Sequence, residues 1–215
     1  MALAVRYADA PPLDLPHVDG LVIVEQTDPA FMARLQDRAI EQIAARFQEG
    51  HRAYVAYMNG TPAAFGWVAT RTATIGELDA RFTIAPTERY LWNFVTLPAF
   101  RGKGIYPRLL AYILAAESWV ERFWIAYAPE NHASAAGIRK AGFETVAELS
   151  FDATGAPAVR ALTPGGGTLA AEVLGLREVE SELTQCWRCI RAGRLDSTCR
   201  TGECCCDYQV PDIAC

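Results

Sequence analysis

The residues with the clearest chemical potential lie between 98 and 110, reading Pro-Ala-Phe-Arg-Gly-Lys-Gly-Ile-Tyr-Pro-Arg-Leu-Leu. An apolar, strand-like run (90–96) precedes them, and Tyr106, Leu109, Leu110, Ile113 and Leu114 follow at helical spacing. A basic, glycine-punctuated turn between a strand and a helix can hold a phosphate. Gly102 and Gly104 allow backbone angles closed to other residues, so the main chain can approach a ligand. The first helical turn then offers unpaired N–H groups and the positive end of the helix dipole. Arg101 and Lys103 add charge. The dinucleotide fingerprint Gly-x-Gly-x-x-Gly fails because its third glycine is Pro107, and the Gly-Lys-Ser/Thr ending of a nucleotide P-loop is missing.

A second polar segment follows at Asn131-His-Ala-Ser134, with Lys140-Ala-Gly-Phe143 after it. A third lies far downstream. All 7 cysteines fall between Cys186 and Cys215, and residues 1–185 contain none. Cys186-Trp-Arg-Cys189 can chelate a metal ion through two thiolates. Cys204 and Cys206, which point the same way in an extended segment, can complete a tetrahedral zinc site, with Cys199 as the alternative. An iron–sulfur cluster uses the same ligands and stays open, as does a disulfide-forming or disordered tail. Four thiolates would make such a metal structural, fixing the tail, a homodimer contact or a partner.

Around these segments, 21–24 reads as the first strand. Asp28-Pro29 starts a helix whose apolar stripe runs Phe31, Leu35, Ala39, Ile43, Phe47 until Gly50. Strands are expected over 52–58 and 62–70, joined at Asn59-Gly60, a strong hairpin signal. A short strand at 82–84, a strand at 122–128 and a helix over 131–141 closed by Gly142 come next. Segments 143–151 and 158–162 flank a turn at 152–155. Residues 164–167, Pro-Gly-Gly-Gly, read as a flexible joint, and Leu169, Val173, Leu176, Val179 and Leu183 mark an amphipathic helix. The expected organisation is a domain over 1–164, a linker and helix over 165–185, and a cysteine-rich tail over 186–215. Strands and helices mix without strict alternation, which predicts an α/β fold of the α+β type with a mixed sheet.

Composition narrows the function classes. With 215 residues, 51% hydrophobic and 21% charged, the chain can bury one sizeable core. A net charge of −5 argues against nucleic acid or an anionic membrane as partner and leans toward cationic ligands. No apolar run approaches the roughly 20 residues of a membrane helix, and the first residues do not read as a secretion signal. The expected location is cytoplasmic.

The turn at 101–106 and the segments at 131–134 and 142–143 together resemble the GNAT family of acyl-coenzyme A-dependent N-acetyltransferases. Its pyrophosphate motif, Arg/Gln-x-x-Gly-x-Gly/Ala, is matched by Arg101 and Gly104, with Tyr106 departing from the small final residue. Its following motif is matched by Asn131, Ser134, Gly142 and Phe143. The resemblance covers about residues 21–162 and is strongest over 90–143.

This resemblance implies a GNAT-like acyl-CoA N-acyltransferase fold in which two parallel central strands splay and the pantetheine arm of acetyl-coenzyme A lies in the gap. Thr96 and Leu97 would hydrogen-bond the arm through their main chain. Arg101 and the N–H groups of Gly102, Lys103, Gly104, Ile105 and Tyr106 would take the pyrophosphate, with Asn131 and Ser134 on the far wall. Many members carry a tyrosine seven residues after that asparagine as acid for the departing thiolate; here the position is Ile138. Tyr127 and Tyr106 are the substitutes available. Glu88, on the same strand face as Tyr90 and Trp92, is the candidate base. The implied activity is acetyl-CoA-dependent N-acetylation of a small-molecule or protein amine. The alternative is a non-catalytic coenzyme A-binding regulatory module with a metal- or redox-responsive tail, which lies outside the usual family pattern. His132 reads as a surface residue at a helix start.

Overall fold

The computed structural model describes residues 1–152, 154–180 and 183. In chain order it begins with β1 (Ala2–Tyr7) and β2 (Leu21–Gln26), then α1 (Pro29–Gln36), α2 (Ile40–Gln48), β3 (Arg52–Met58) and β4 (Thr61–Ala69). A small hairpin, β5 (Thr72–Ile75) and β6 (Ala80–Thr83), leads to β7 (Glu88–Thr96), α3 (Ile105–Ala116), β8 (Arg122–Tyr127) and α4 (His132–Lys140). The chain continues through β9 (Glu144–Phe151), β10 (Pro157–Ala161), α5 (Gly166–Leu174) and β11 (Arg177–Glu178). Nine strands form one mixed sheet in the order β11-β10-β9-β1-β8-β7-β4-β3-β2.

The expected α/β organisation with a mixed sheet is what the chain adopts, and local chemistry explains most of its elements. Asp28 caps α1, its Oδ1 accepting from the Ala30 N–H at 2.8 Å, and Pro29 takes the first helical position. Asn59 and Gly60 both have positive φ, as a type I′ hairpin turn requires. Asn131 caps α4 through Ser134 N–H at 3.0 Å, and Gly142, at φ 75°, closes that helix.

Three expectations change. The first strand is β1, upstream of the one expected at 21–24; it lies inside the sheet, antiparallel to both β8 and β9. The single helix expected across Phe31 to Phe47 is two, because Asp37 turns left-handed (φ 50°) and separates α1 from α2. The glycines at 166 and 167 are the first turn of α5, pressed onto the sheet. A Cβ on Gly166 would stand 2.4 Å from the Val146 carbonyl oxygen. That helix ends at Gly175 and the chain becomes strand β11, so Leu176 and Val179 lie outside it.

Three apolar clusters flank the sheet. α3 and α4 cover one face, through Ile105, Leu109, Leu110, Ile113 and Ile138 against Leu91, Phe123 and Ile125. On the other face α1 and α2 pack on Phe65 and Trp67. The β5–β6 hairpin and α5 cover Tyr90, Trp124 and Leu149. At the far end of α3, Glu117 is fully buried and accepts from Arg52, from Tyr54 at 3.3 Å and from Arg89 at 3.0 Å.

Candidate functional site

The site is built where two parallel strands part. β7 and β8 pair from Glu88–Arg122 to Leu91–Ile125, and there the ladder stops, although β7 runs on to Thr96 and β8 to Tyr127. The cause is a bulge in β7. Trp67 of β4 faces Trp92, yet Phe65 faces Val95, so β7 carries one extra residue, with Asn93 at φ 51°. The bulge bends β7 away from β8 and leaves a cleft between them. Leu97 N–H is already spent on the Ala63 carbonyl at 2.8 Å. Ladder alternation then turns the main chain of Thr96 toward the cleft, where its carbonyl accepts from Arg101 Nε at 3.2 Å.

The phosphate-type turn sits at the end of that strand. Gly102 and Gly104 have φ 76° and 68°, and Gly104 is the N-cap of α3 with no side chain closing the helix start. Among the described residues no hydrogen bond takes up the N–H groups of Gly102, Lys103 or Gly104. Arg101 and Lys103 are exposed beside them, and the space where a Gly102 Cβ would stand is open. Unpaired amides, a helix dipole and two cations therefore converge on one solvent-facing spot, which fits a pyrophosphate.

Tyr106 departs from the small residue expected there, and the structure shows how it is accommodated. Its ring turns away from the turn and lies on Gly137 of α4, where a Cβ would stand 2.4 Å from Tyr106 Cδ1. Its hydroxyl bonds to Ser134, and burial holds that phenol well above the ordinary tyrosine range. Tyr106 and Ser134 thus join α3 to α4 and leave the turn unfilled. Asn131 commits its side-chain oxygen to the α4 cap.

Of the two catalytic candidates, only Tyr127 belongs to a segment that lines the cleft, and its hydroxyl points away from β7, across β1 to β9. It lies two residues beyond the last β7–β8 pair, on the α3–α4 side, with its hydroxyl 2.8 Å from Thr145 Oγ1. Glu88 is at the opposite, closed end of β7, 2% exposed, with one oxygen paired to Arg122 and the other accepting from Trp124 Nε1 at 3.2 Å. Both oxygens are engaged and the cleft is several residues away, so its geometry is that of an anchor between strands and not of a base. Ile138 is a core side chain, 1% exposed. His132 is exposed at the start of α4. Cys186, Cys189, Cys204 and Cys206 lie outside the described residues. Among those described, no group of three or more His, Cys, Asp or Glu could hold a metal ion, and no helix is long and apolar enough to cross a membrane.

A second group of side chains, absent from the sequence reading, gathers at the bulge on the α1–α2 face. Gln36 Oε1 accepts from Arg46 Nη1 at 3.1 Å, Trp67 Nε1 at 3.2 Å and Asn93 Nδ2 at 3.2 Å. The Arg46 guanidinium stands over Trp92 (4.7 Å to the ring centre) and Trp67 (5.1 Å). Trp92 Nε1 donates to His51 Nδ1 at 3.0 Å, and burial lowers the His51 pKa below 6.5. These residues come from four elements and one loop, so no sequence spacing announces them.

Parallel strands parted at a bulge, with an amide-lined turn at the start of the next helix, define an α/β protein with a cleft for an extended, phosphate-bearing ligand. A family model described as the acetyltransferase (GNAT) family matches residues 22–143, and the chain belongs to that family. No curated protein matches the sequence. Among solved structures, a GCN5-related N-acetyltransferase from Kribbella flavida is 17% identical, with 67% of this chain and 53% of that chain covered and a TM-score of 0.42. The protein AAC(6')-Iy, solved with the bisubstrate analogue CoA-S-monomethyl-acetylneamine, is 17% identical over 61% of this chain and 95% of its own, with a TM-score of 0.46. An IAA acetyltransferase from Bacillus cereus is 20% identical over 62% and 82%, with a TM-score of 0.45. The chain spans about half the length of the Kribbella protein.

Proposed function

We propose that the chain is an acetyl-coenzyme A-dependent N-acetyltransferase acting on a primary amine. The observation that carries this reading is the end of β7–β8 pairing at Leu91–Ile125, beside a turn whose amides have no partner among the described residues. Acetyl-coenzyme A would supply the thioester whose acyl group passes to the amine, as the C–N bond forms and the C–S bond breaks. Gly102, Lys103 and Gly104 would hold its pyrophosphate through their N–H groups, with Arg101 beside them, and the Thr96 main chain would align its arm. Tyr127 is the acid we assign to the departing thiolate, since its strand lines the cleft two residues beyond the last β7–β8 pair, and its hydroxyl would exchange Thr145 for the thiolate; Tyr106, whose phenol pKa is raised by burial, packs α3 on α4. Fixing the amine against the carbonyl supplies much of the acceleration in such a transfer.

Thiol release from acetyl-coenzyme A across a panel of amines, together with calorimetric binding of coenzyme A, tests the reading. Gly102→Asp puts a carboxylate beside the pyrophosphate and should weaken coenzyme A binding at least tenfold. Gly60→Asp is the control, because Gly60 has a similar φ (78°) and equally open surroundings in the remote β3–β4 turn. Equal effects of the two substitutions would refute the pyrophosphate assignment. Binding without turnover of any amine would leave a coenzyme A-binding module in place of an enzyme. For the tail, a zinc site of Cys186, Cys189, Cys204 and Cys206 rests on their spacing, and metal analysis of purified protein is its test.

A further inference from the structure

We propose that Arg46 anchors an anionic group on the acceptor, so that the amine substrate carries a carboxylate or a similar anion. This rests on the N-acetyltransferase reading and adds the substrate class to it.

Arg46 lies in the last turn of α2, half-buried, with its guanidinium over the rings of Trp67 and Trp92. A guanidinium has five N–H donors in a planar fork. The hydrogen bond found for this one is from Nη1 to Gln36 Oε1. No carboxylate among the described residues forms an ion pair with it. The groups that face it do not neutralise it. Gln36 and the tryptophans are uncharged, Arg38 adds a second positive charge, and burial lowers the Arg46 pKa. Glu49, next to the helix end, faces His51 Nε2 at 3.6 Å. A partly desolvated guanidinium with free donors and no counter-ion is a receptor for a carboxylate.

The position matches an acceptor site. Trp92 is the first residue of β7 after the last β7–β8 pair, and Asn93, bonded to Gln36, is the bulge residue itself. Arg46 thus stands one side chain from the opening of the cleft. It does so on the face opposite α3, whose start carries the phosphate turn, so an acceptor held here would meet the acyl group from the other side of the sheet. His51 is a positioning residue in this arrangement, since its Nδ1 holds the Trp92 indole against the guanidinium. The acidic net charge of the chain pointed toward cationic ligands; the local charge at the cleft points the other way.

The test compares matched acceptors on the intact protein: a series of amino acids from glycine to 6-aminohexanoate, each against its carboxamide, at saturating acetyl-coenzyme A. The expected result is kcat/KM at least tenfold higher for the acid of the best pair, carried mainly by KM. In Arg46→Met that ratio falls to near one with acetyl-coenzyme A affinity unchanged, and Arg46→Lys recovers part of it. Amides acetylated as well as acids by the unaltered protein would overturn the anionic-acceptor inference and leave the acetyltransferase reading standing. No thiol release with either series, despite cofactor binding, would overturn both. The comparison on unaltered protein decides the matter even where Arg46→Met fails to fold.

Discussion

Replacing Glu117 by glutamine should be the most damaging single-charge change in the described core, and its cost can be worked from the contacts. Glu117 is fully buried and joins Arg52, Tyr54 and Arg89. Arg52 has a second carboxylate, Glu25, and is 33% exposed, so it keeps a partner and water when Glu117 is neutralised. Arg89 is 5% exposed at its side chain, and its other bonds go to the Pro86 and Glu88 carbonyls. Glu117→Gln therefore leaves one buried cation without a counter-charge, a change that costs about 3–5 kcal/mol. At roughly 2–4 °C per kcal/mol for a chain of this size, the melting temperature should fall by about 6–20 °C. Glu25→Gln removes a partly exposed partner and should cost no more than about 1 kcal/mol. Urea unfolding of the three proteins, followed by far-ultraviolet circular dichroism, measures both. A loss below about 1 kcal/mol for Glu117→Gln, or equal losses for the two variants, would refute the reasoning.

Two further outcomes follow from the site. Tyr127→Phe should lower kcat by about a hundredfold with little change in coenzyme A affinity, the loss typical of a general acid; stopped-flow thiol release and calorimetry separate the two effects. The folded-state pKa of His51 lies below its ordinary 6.5, so the unfolded chain binds more protons in that window. Stability should fall as pH drops through about 6.5 and level off below the folded pKa, and His51→Gln should flatten that part of the urea-midpoint profile.

Much of the fold was readable because local signals and tertiary structure agree. Asn59-Gly60, Asp28-Pro29, Asn131 with Gly142, and the strand–turn–helix around Gly102 each carry their own turn or cap chemistry, and each forms where expected. β1 was not readable. Five of its six residues are buried, so it shows no polar–apolar alternation, and its partners lie beyond residue 120. Asp37 interrupts an apolar stripe that is periodic on both sides of it, so α1 and α2 read as one helix. The glycines before α5 suggest a loose joint until their contact with Val146 is seen. At the site, the cofactor turn is contiguous and therefore legible. Gln36, Arg46, His51, Trp67 and Trp92 become neighbours only through packing. Glu88 shows the opposite failure: strand alternation gave its face correctly, but not its distance along the strand or its arginine partner.

The placement of β1 has a consequence for the integrity of the whole sheet. β8 and β9 share no ladder; each pairs with β1, which is the six-residue seam between the five strands on one side and the three on the other. A chain starting at residue 8 would hold two unpaired edges facing each other across a slot one strand wide. A synthetic peptide of residues 1–7 is shaped to fill it, so the molecule is naturally divided for split-fragment complementation, with reassembly and the rejoining of its two halves being the same event.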